Sequence, residues 1–388
     1  MKAPSQALRT AVDWAVLPPP CPLLRVTVIV PVRNEEDNLP RTLAALQAQR
    51  HADSTSVDPA TYEVLVLANN CTDRSADVVR DFARTHPDFR VHVVETEFHG
   101  EHAHIGNARR QLMDEACRRL MSTVGDAGVI ASTDGDTCVA PTWIAETLAE
   151  IDRGVDCVGG RIDTTASSSM PAPLLRMKRL DTAHQLLQCR LESLIDPDPA
   201  DPWPRHHQHF GASLAVTARA YQQVGGLPVR RFLEDQALVD ALRRADLRIR
   251  HSSRVRVSTS DRLDGRVEVG LSWQLRVWSE MQRDAQPMLV PPVDASLRTL
   301  ALRRRLRQAW NDRGGRSSGS TQPELADLAH ALAVESNWLV ERIDECETFG
   351  RLWEAVENLQ AKRHGDRPSE TIPMTQAIDS MRQELRRA

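Results

Sequence analysis

Aromatic residues are scarce in this sequence, and long apolar runs are absent from it. Phe, Trp and Tyr make up 4% of the 388 residues, so we expect a core built mainly from Leu, Val, Ala and Ile. No segment has the continuous apolar length that a transmembrane helix needs. The stretch 1–21 carries charges and three consecutive prolines in place of a sustained apolar core, which argues against a signal peptide. We therefore expect a cytoplasmic protein that meets its substrates in solution or through peripheral contact with a membrane.

The sequence also lacks a disulfide framework and a strong net charge. Its seven cysteines are widely spaced, odd in number and without a C-x-x-C pair, which favours reduced thiols. The 49 basic and 53 acidic residues give a formal charge of −4, so nucleic acid is not an expected partner. One local basic run lies at 303–307, where a solvated helix face and a contact with membrane or phosphate are both open interpretations.

The first part of the chain alternates short runs rich in Val and Ile with amphipathic segments. The predicted strands are 26–32, 63–69, 91–95, 129–133, 155–162 and 209–217, and the predicted helices are 35–49, 73–84, 105–121, 173–195 and 234–245. This pattern indicates an α/β fold with a mostly parallel sheet flanked by helices. From about residue 271 the pattern becomes helical, with two or three helices expected after 323.

We expect three regions along the chain. They are an N-terminal extension at 1–22, an α/β domain at 23–270 with halves at 23–140 and 141–270, and a C-terminal helical appendage at 271–388. Ligands of such sheets bind beyond the carboxyl ends of the strands, which directs attention to the polar loops there.

The triplet Asp134-Gly135-Asp136 follows the fourth predicted strand directly. Two carboxylates two residues apart can present oxygens to one hard divalent cation, Mg²⁺ or Mn²⁺, which in turn can hold a diphosphate. An ordinary Asp-Gly turn is the alternative for the triplet taken alone. Its place at a strand end favours the functional interpretation.

Two other motifs with acidic residues also have both a functional and a purely structural interpretation. Asn34 and Glu35, after the first strand, could contact a nucleotide or could serve as a helix start. Glu234 and Asp235 open a predicted helix, where the helix dipole alone favours acids. There is no G-x-G-x-x-G after the first strand and no Walker A sequence, so dinucleotide and P-loop folds lose their main support.

Two histidine clusters admit a zinc site or, more simply, exposed loop residues. The clusters are His99, His102 and His104 in one loop and His206, His207 and His209 in another.

Taken in order, the motifs of this chain resemble those of the family 2 glycosyltransferases over roughly 26–266. The motifs that carry the resemblance are Val28-Ile29-Val30-Pro31-Val32-Arg33-Asn34-Glu35, Asn69-Asn70-Cys71-Thr72-Asp73, Gly106-Asn107-Ala108-Arg109, Asp134-Gly135-Asp136, Gly225-Gly226-Leu227-Pro228 and Glu234-Asp235. The resemblance implies a GT-A-type fold and transfer of a sugar from a nucleoside-diphosphate sugar to a small-molecule or lipid-linked acceptor, with inversion. The processive members' Q-x-x-R-W sequence is absent, which favours transfer of a single sugar.

The resemblance also implies a role for each matching residue. The donor would be bound by Pro31, Arg33, Asn34, Glu35, Asn69, Arg109 and Asp134. Asp136 would hold the metal and Asp235 would be the catalytic base. Glu234 and Gly211 are further candidates for contacts to the diphosphate or acceptor, and Arg262 and Arg266 could make such contacts or form surface salt bridges. The nucleotide-binding half of the domain would be 23–140 and the acceptor half 141–270.

One position departs from the family pattern. Asn69 stands where the family commonly has an aspartate that binds the nucleotide base, so the identity of the base stays open. Two further functions remain as alternatives: a nucleotidyltransferase acting on sugar phosphates, and a non-catalytic module that binds sugar nucleotides. The first usually has a glycine-rich loop after the first strand, and 31–36 contains no glycine.

Overall fold

The computed structural model describes residues 12–164, 170–260, 270–315, 322–364 and 370–387. Contacts divide the chain into two compact units. The first contains Met1–Ser169, Gln208–Asp240 and Ile249–Arg276, and the second contains Met170–His207, Ala241–Arg248 and Val277–Ala388.

The first unit is built around an eight-stranded sheet. Its strands are β1 (Val26–Val32), β2 (Tyr62–Asn69), β3 (Val91–Thr96), β4 (Val129–Ser132), β5 (Thr137–Val139), β6 (Cys157–Thr164), β7 (Leu214–Thr217) and β8 (Ile249–Thr259). Their order in the sheet is β3-β2-β1-β4-β7-β6-β8-β5. The first four are parallel, β7 is antiparallel to both β4 and β6, and β8 is parallel to β6 and antiparallel to β5. The α/β class predicted from the sequence is confirmed.

Helices connect these strands. Up to residue 283 they are α1 (Leu39–Gln47), α2 (Ser75–Thr85), α3 (Ile105–Met121), α4 (Trp143–Asp152), α5 (Ala172–Ile195), α6 (Ala218–Gln223), α7 (Glu234–Arg244) and α8 (Leu271–Arg283). All seven side chains of β1 are buried, and β2 is buried along its whole length, as expected for strands covered on both faces.

Several boundaries differ from the prediction. The first helix begins at Leu39 and not at residue 35, because 35–38 form a turn in which the Glu35 carbonyl accepts the N–H groups of Asn38 and Leu39. The strand expected at 209–217 is regular only from Leu214, since Gly211–Ser213 forms a 3₁₀ turn. Strand β8 was missed because its arginines and histidine mask the apolar alternation.

The second unit is mainly helical. Besides α5 it contains β9 (Leu289–Val290), α9 (Val293–Asn311), α10 (Gln322–Ala331), α11 (Ser336–Glu345), α12 (Phe349–His364), β10 (Ile372–Pro373) and α13 (Met374–Arg387). The expectation of two or three helices after residue 323 was wrong, since α10 to α13 are four helices within the described ranges. One apolar cluster joins α5, α9 and α13, and a second joins the end of α9 to α10, α11 and α12.

Two of the four arginines in the basic run at 303–307 form ion pairs within this unit. Arg303 contacts Asp196 at 2.5 Å and Glu192 at 2.6 Å, and Arg307 contacts Asp196 at 2.9 Å. Burial opposes the charged form of Glu192, but Arg205 and Arg303 outweigh it and hold the pKa of Glu192 below its usual range. Much of the positive charge of the run therefore stabilises the contact between α5 and α9. None of the helices in the described ranges combines the length and apolar character of a membrane span.

Candidate active site

The sheet brings the polar motifs to one edge. Strands β1, β2 and β4 run parallel, so the residues after Val32, Asn69 and Ser132 emerge together. Strand β7 runs the other way and pairs Leu214 with Ser132, which returns the turn at Gly211 to the same edge. This is the edge at which open α/β sheets bind ligands.

A buried arginine links acids from two distant motifs. Arg109 lies in the first turns of α3 and is 5% exposed. Its Nη2 donates to Asp134 Oδ1 at 2.7 Å, and its Nη1 forms a short ion pair with Glu234 Oε1. Because both terminal nitrogens are paired, the guanidinium fixes the start of α7 relative to the end of β4.

Burial and charge act in opposite directions on these groups. Burial raises the pKa of Asp134 to about 6, the Arg109 charge opposes this rise, and Asp136, Glu234 and Asp235 add to it. The Asp134 side chain remains 36% exposed, so water and ligands still reach it. Burial likewise raises the pKa of Glu234 despite its ion pair with Arg109. Burial opposes the charge of Arg109, but Glu234, Asp134 and Asp235 outweigh it and raise the pKa of Arg109.

Gly211 packs directly against the arginine. Its N–H donates to Asp235 Oδ2 at 2.8 Å, and its carbonyl accepts from Ser132 Oγ at 2.8 Å. A Cβ at this position would lie 2.3 Å from Arg109 Cζ, which is far inside van der Waals contact. Only glycine fits here while Arg109 keeps its position.

Asp235 is oriented by the backbone on both sides of its carboxylate. Oδ2 accepts the Gly211 N–H, and Oδ1 accepts the N–H of Gln236 at 2.7 Å. The residue is 9% exposed, and its charge acts on both Asp134 and Arg109. Each carboxylate oxygen has two acceptor sites, so these bonds leave capacity for a substrate hydroxyl.

Asp136 lies in a turn between β4 and β5. The turn is held by a hydrogen bond from Thr137 N to Asp134 O (3.1 Å) and another from Thr42 Oγ1 to Gly135 O (2.9 Å). Asp136 is half-buried and close enough to raise the pKa of Asp134. Among the described residues, no group of three or more His, Cys, Asp or Glu side chains is arranged to hold a metal ion alone.

The loop after β1 is bound to the loop after β2. Asn34 adopts a left-handed backbone (φ 56°), and its amide side chain exchanges hydrogen bonds with Thr72, at 2.7 Å and 3.1 Å. The Glu35 N–H donates to Ser75 Oγ at 2.8 Å, and the Glu35 carboxylate accepts from Asn38 Nδ2 at 2.7 Å. Asn34 and Glu35 therefore have a structural role whether or not they contact a nucleotide.

The other residues predicted to bind the donor differ in exposure. Pro31 is buried within β1, where it pairs with Leu67, and Arg33 is exposed. Asn69 ends β2 and is 6% exposed. Its neighbour Asn70 orders the next loop through two hydrogen bonds with the backbone of Phe98.

The predicted site residues thus fall into three groups. One network contains Arg109, Asp134, Gly211, Glu234 and Asp235, with Asp136 beside it. A second group lies at the same edge: Pro31 and Asn69 are near the ends of β1 and β2, and Arg33, Asn34 and Glu35 form the loop after β1. Arg262 and Arg266 lie outside the described residues.

A buried hydrogen-bond chain next to Asp235 was not predicted. His209 Nε2 lies 2.8 Å from Gln236 Oε1, and His209 Nδ1 lies 3.0 Å from His251 Nε2. Gln236 Nε2 donates to Asp240 Oδ1 at 2.7 Å, which directs its oxygen towards His209. The expectation of exposed histidines was wrong for His209 and His206, which are 7% and 3% exposed. The sequence offers no local signal for this chain of hydrogen bonds, because residues 209, 236 and 251 lie far apart along it.

This sheet order, with acids at the carboxyl edge of β4 and at the start of α7, agrees with the GT-A-type fold expected from the motifs. Residues 27–197 match the family described as "Glycosyl transferase family 2". The match covers less than half of the chain, and over that segment it confirms the resemblance inferred from the motifs.

Two curated relatives illustrate the similarity. "Glycosyltransferase AglE" of Haloferax volcanii is 28% identical over 141 residues, which cover 36% of this chain and 40% of the relative. "Undecaprenyl-phosphate 4-deoxy-4-formamido-L-arabinose transferase" of Pseudomonas fluorescens is 28% identical over 213 residues, which cover 48% of this chain and 56% of the relative. The matches span about half the length of these relatives.

Among solved structures, "Mannosyltransferase PcManGT from Pyrobaculum calidifontis in complex with GDP-Man and Mn2+" aligns with a TM-score of 0.43 and 19% identity. The alignment covers 92% of this chain and 85% of that chain.

Proposed function

We propose that this protein transfers one sugar from a nucleoside-diphosphate sugar to an acceptor hydroxyl with inversion at the anomeric carbon. The observation that carries the proposal is the network in which Arg109 joins Asp134 to Glu234 while Asp235 is fixed beside it by Gly211. Acids from two motifs far apart in sequence thus meet at the ligand-binding edge of the sheet. A non-catalytic fold has no physical need to bury so many like charges together.

In this proposal Asp235 is the general base. Its carboxylate takes the proton from the acceptor hydroxyl while that oxygen forms a bond to the anomeric carbon. The bond from the anomeric carbon to the diphosphate breaks on the opposite face of the sugar, so the configuration inverts. The two backbone N–H groups that hold Asp235 fix its direction without a large reorganisation during the reaction. No covalent bond to the protein is needed.

The donor set suits a hard divalent cation, Mg²⁺ or Mn²⁺. Asp136 is a half-buried carboxylate at a strand end, and Asp134 keeps one oxygen outside its bond to Arg109. Since the described residues offer no set of three metal ligands, the remaining ligands would be diphosphate oxygens and water. When bound, the cation would neutralise charge on the departing nucleoside diphosphate.

We assign the remaining residues to the donor. Pro31, Arg33, Asn34, Glu35 and Asn69 would line the nucleoside site, with the base left open by the amide at Asn69. Arg109 would act close to the phosphates while holding the acids in place. Arg262 and Arg266 are kept as candidate diphosphate or acceptor contacts.

The acceptor is proposed as a small molecule or a lipid-linked molecule. The relative named for undecaprenyl phosphate supports the lipid-linked class. All seven cysteines are free, which agrees with a reaction in the reducing cytoplasm.

The first test is donor cleavage. A thermal-shift screen of nucleoside diphosphates and their sugars, with and without Mn²⁺, identifies the donor, because ligands that bind the native state raise its apparent stability. We then expect metal-dependent hydrolysis of that nucleotide sugar, lost with EDTA and reduced at least about 10²-fold in Asp136→Ala. Asp126→Ala, an exposed aspartate preceding β4, is the matched control and should keep full activity.

Two results would contradict the proposal. Release of pyrophosphate from a nucleoside triphosphate and a sugar phosphate would indicate a nucleotidyltransferase. Failure to bind any nucleotide would indicate a non-catalytic module that does not use this edge for sugar nucleotides.

A further inference from the structure

Two large apolar side chains are exposed on the two backbone segments that adjoin the Asp235 carboxylate. Phe210 is 40% exposed and Leu233 is 48% exposed. Phe210 precedes Gly211, whose N–H is 2.8 Å from Asp235 Oδ2, and Leu233 lies two residues before Asp235. Both residues are therefore attached to the backbone that holds the proposed base. The edge of the sheet is otherwise lined here by charged groups.

The backbone of Leu233 is unusual. Its φ of 57° lies in the left-handed region, which residues other than glycine, asparagine and aspartate adopt rarely. A leucine gains no local hydrogen bond from its side chain there, and the exposed side chain contributes little to a core. Strained, exposed residues next to catalytic groups are a recurring sign of ligand contact, because the surrounding structure maintains the strain for function.

The ring of Phe210 is placed beside the same helix start. Its centroid lies 5.8 Å from the centroid of the His209 ring, and His209 is 2.8 Å from the side chain of Gln236. Gln236 is the residue after Asp235. The ring is therefore near the first turn of α7, and Leu233 is the residue immediately before that helix.

Scattered single apolar side chains on a surface need no explanation, but these two coincide with the proposed reaction centre. Val229, 53% exposed, adds a third apolar side chain to the loop that leads to Leu233. An apolar partner that covers these side chains would have to lie next to Asp235. In the proposed reaction, the molecule that approaches Asp235 is the acceptor.

We propose that Phe210 and Leu233 form an apolar acceptor subsite. It binds an uncharged hydrocarbon group attached within a few bonds of the hydroxyl that Asp235 deprotonates. The inference rests on the proposed function and adds a class of acceptor to it: an alcohol with an alkyl or aryl group beside the reacting oxygen.

The test uses simple alcohols that differ only in apolar length. The full chain is incubated with the nucleotide sugar that it hydrolyses, and ethanol or hexan-1-ol competes with water as the acceptor. We expect the half-saturating concentration for forming the alkyl glycoside to be at least about tenfold lower for hexan-1-ol, because its longer chain buries more apolar surface. Phe210→Ser and Leu233→Ser should each remove most of this preference while donor hydrolysis in water stays within about twofold of the parent.

Two control variants separate the subsite from general effects. Leu233→Met keeps an apolar side chain and should keep the preference. Leu23→Ser removes another exposed leucine, 59% exposed and preceding β1, and should change nothing.

Three results would overturn the proposal. They are equal half-saturating concentrations for the two alcohols, no diversion of the donor by either alcohol, and a preference that survives both serine variants. If donor hydrolysis itself is absent from the parent protein, the proposed function fails and the subsite fails with it. If hydrolysis is intact and any of the three results is obtained, only the subsite fails.

Discussion

At the scale of single residues, the site depends on close contact between a glycine and a buried guanidinium. Gly211 leaves Arg109 the space to reach Asp134 and Glu234, and its two peptide groups are held by Asp235 and Ser132. Steric freedom and hydrogen bonding thus act together at one residue. A side chain at this position would disturb three acids at once.

We predict that Gly211→Ala inactivates the protein without unfolding it. The added methyl would lie 2.3 Å from Arg109 Cζ, so the guanidinium must move, and a displacement of about 1 Å can cost about 10²-fold in rate. Steady-state donor hydrolysis and a circular-dichroism melt measure the two effects separately.

The matched control is Gly314→Ala, where the new methyl meets nothing within 4 Å. It should leave both activity and melting temperature unchanged. Normal activity in Gly211→Ala would show that the position of Arg109 is unimportant for the reaction.

Some residues of the site could be recognised from the sequence, and others could not. The acids at 134, 136, 234 and 235 were found because carboxylates at strand ends and helix starts are recognisable in a motif series. The partner of Arg109 could not be found in this way, since the sequence does not show that residues 109, 134 and 234 meet. Burial of His209 was missed because its partners Gln236 and His251 are distant in sequence.

At the scale of elements, the start of α7 is held to the turn before β7 by two layers of hydrogen bonds. The first is the bond from Gly211 to Asp235, and the second is the bond between His209 and Gln236, which continues to Asp240. The second layer involves Gln236, the residue that follows the aspartate that we assign as base. It limits the directions in which α7 and the turn can move apart.

We predict that Gln236→Leu weakens both stability and catalysis. The substitution leaves the buried His209 without its acceptor, which typically costs about 1–3 kcal/mol in free energy of unfolding. The turn carrying Gly211 is then held by one bond fewer, so we expect kcat to fall about tenfold with a smaller change in donor binding. Urea unfolding and steady-state kinetics measure these effects.

The double variant Gln236→Glu with Asp240→Asn provides the control. In this variant the amide introduced at position 240 can donate to one oxygen of the carboxylate introduced at position 236, and the other oxygen of that carboxylate can still accept from His209. Activity should therefore largely return. If the double variant is as impaired as Gln236→Leu, the hydrogen-bond chain does not explain the loss.

The elements that sequence predicted best are those with a strong local pattern. Helix α3 was predicted with its exact bounds, and β1 likewise, because apolar periodicity and capping agree there. Strand β5 has three residues and β8 carries polar residues on both sides of its apolar positions, so neither gives a clear period. Both depend on pairing with each other, which is a long-range property.

At the scale of the whole molecule, the chain combines a sheet unit with a mainly helical unit. The sheet unit contains every described residue of the proposed site. The helical unit has its own apolar clusters and an ion-pair network that joins Glu192 and Asp196 to Arg303 and Arg307. The sequence pattern divides the chain once, at residue 270. The compact units defined by contacts also assign 170–207 and 241–248 to the helical part.

In the proposed reaction, a single displacement at the anomeric carbon requires the base and the leaving group to lie on opposite faces of the sugar. That requirement is the central claim, because it makes Asp235 the base and assigns the departing diphosphate to the edge at Asp134 and Asp136. It excludes a covalent intermediate with the protein.

The most direct test is the anomeric configuration of the product, followed by proton NMR from the first minutes of donor cleavage. We predict that the new bond to water or alcohol has the configuration opposite to that of the donor, and that Asp235→Asn slows its formation at least about 10²-fold while the donor still binds. A product with retained configuration, or full activity in Asp235→Asn, would contradict the account.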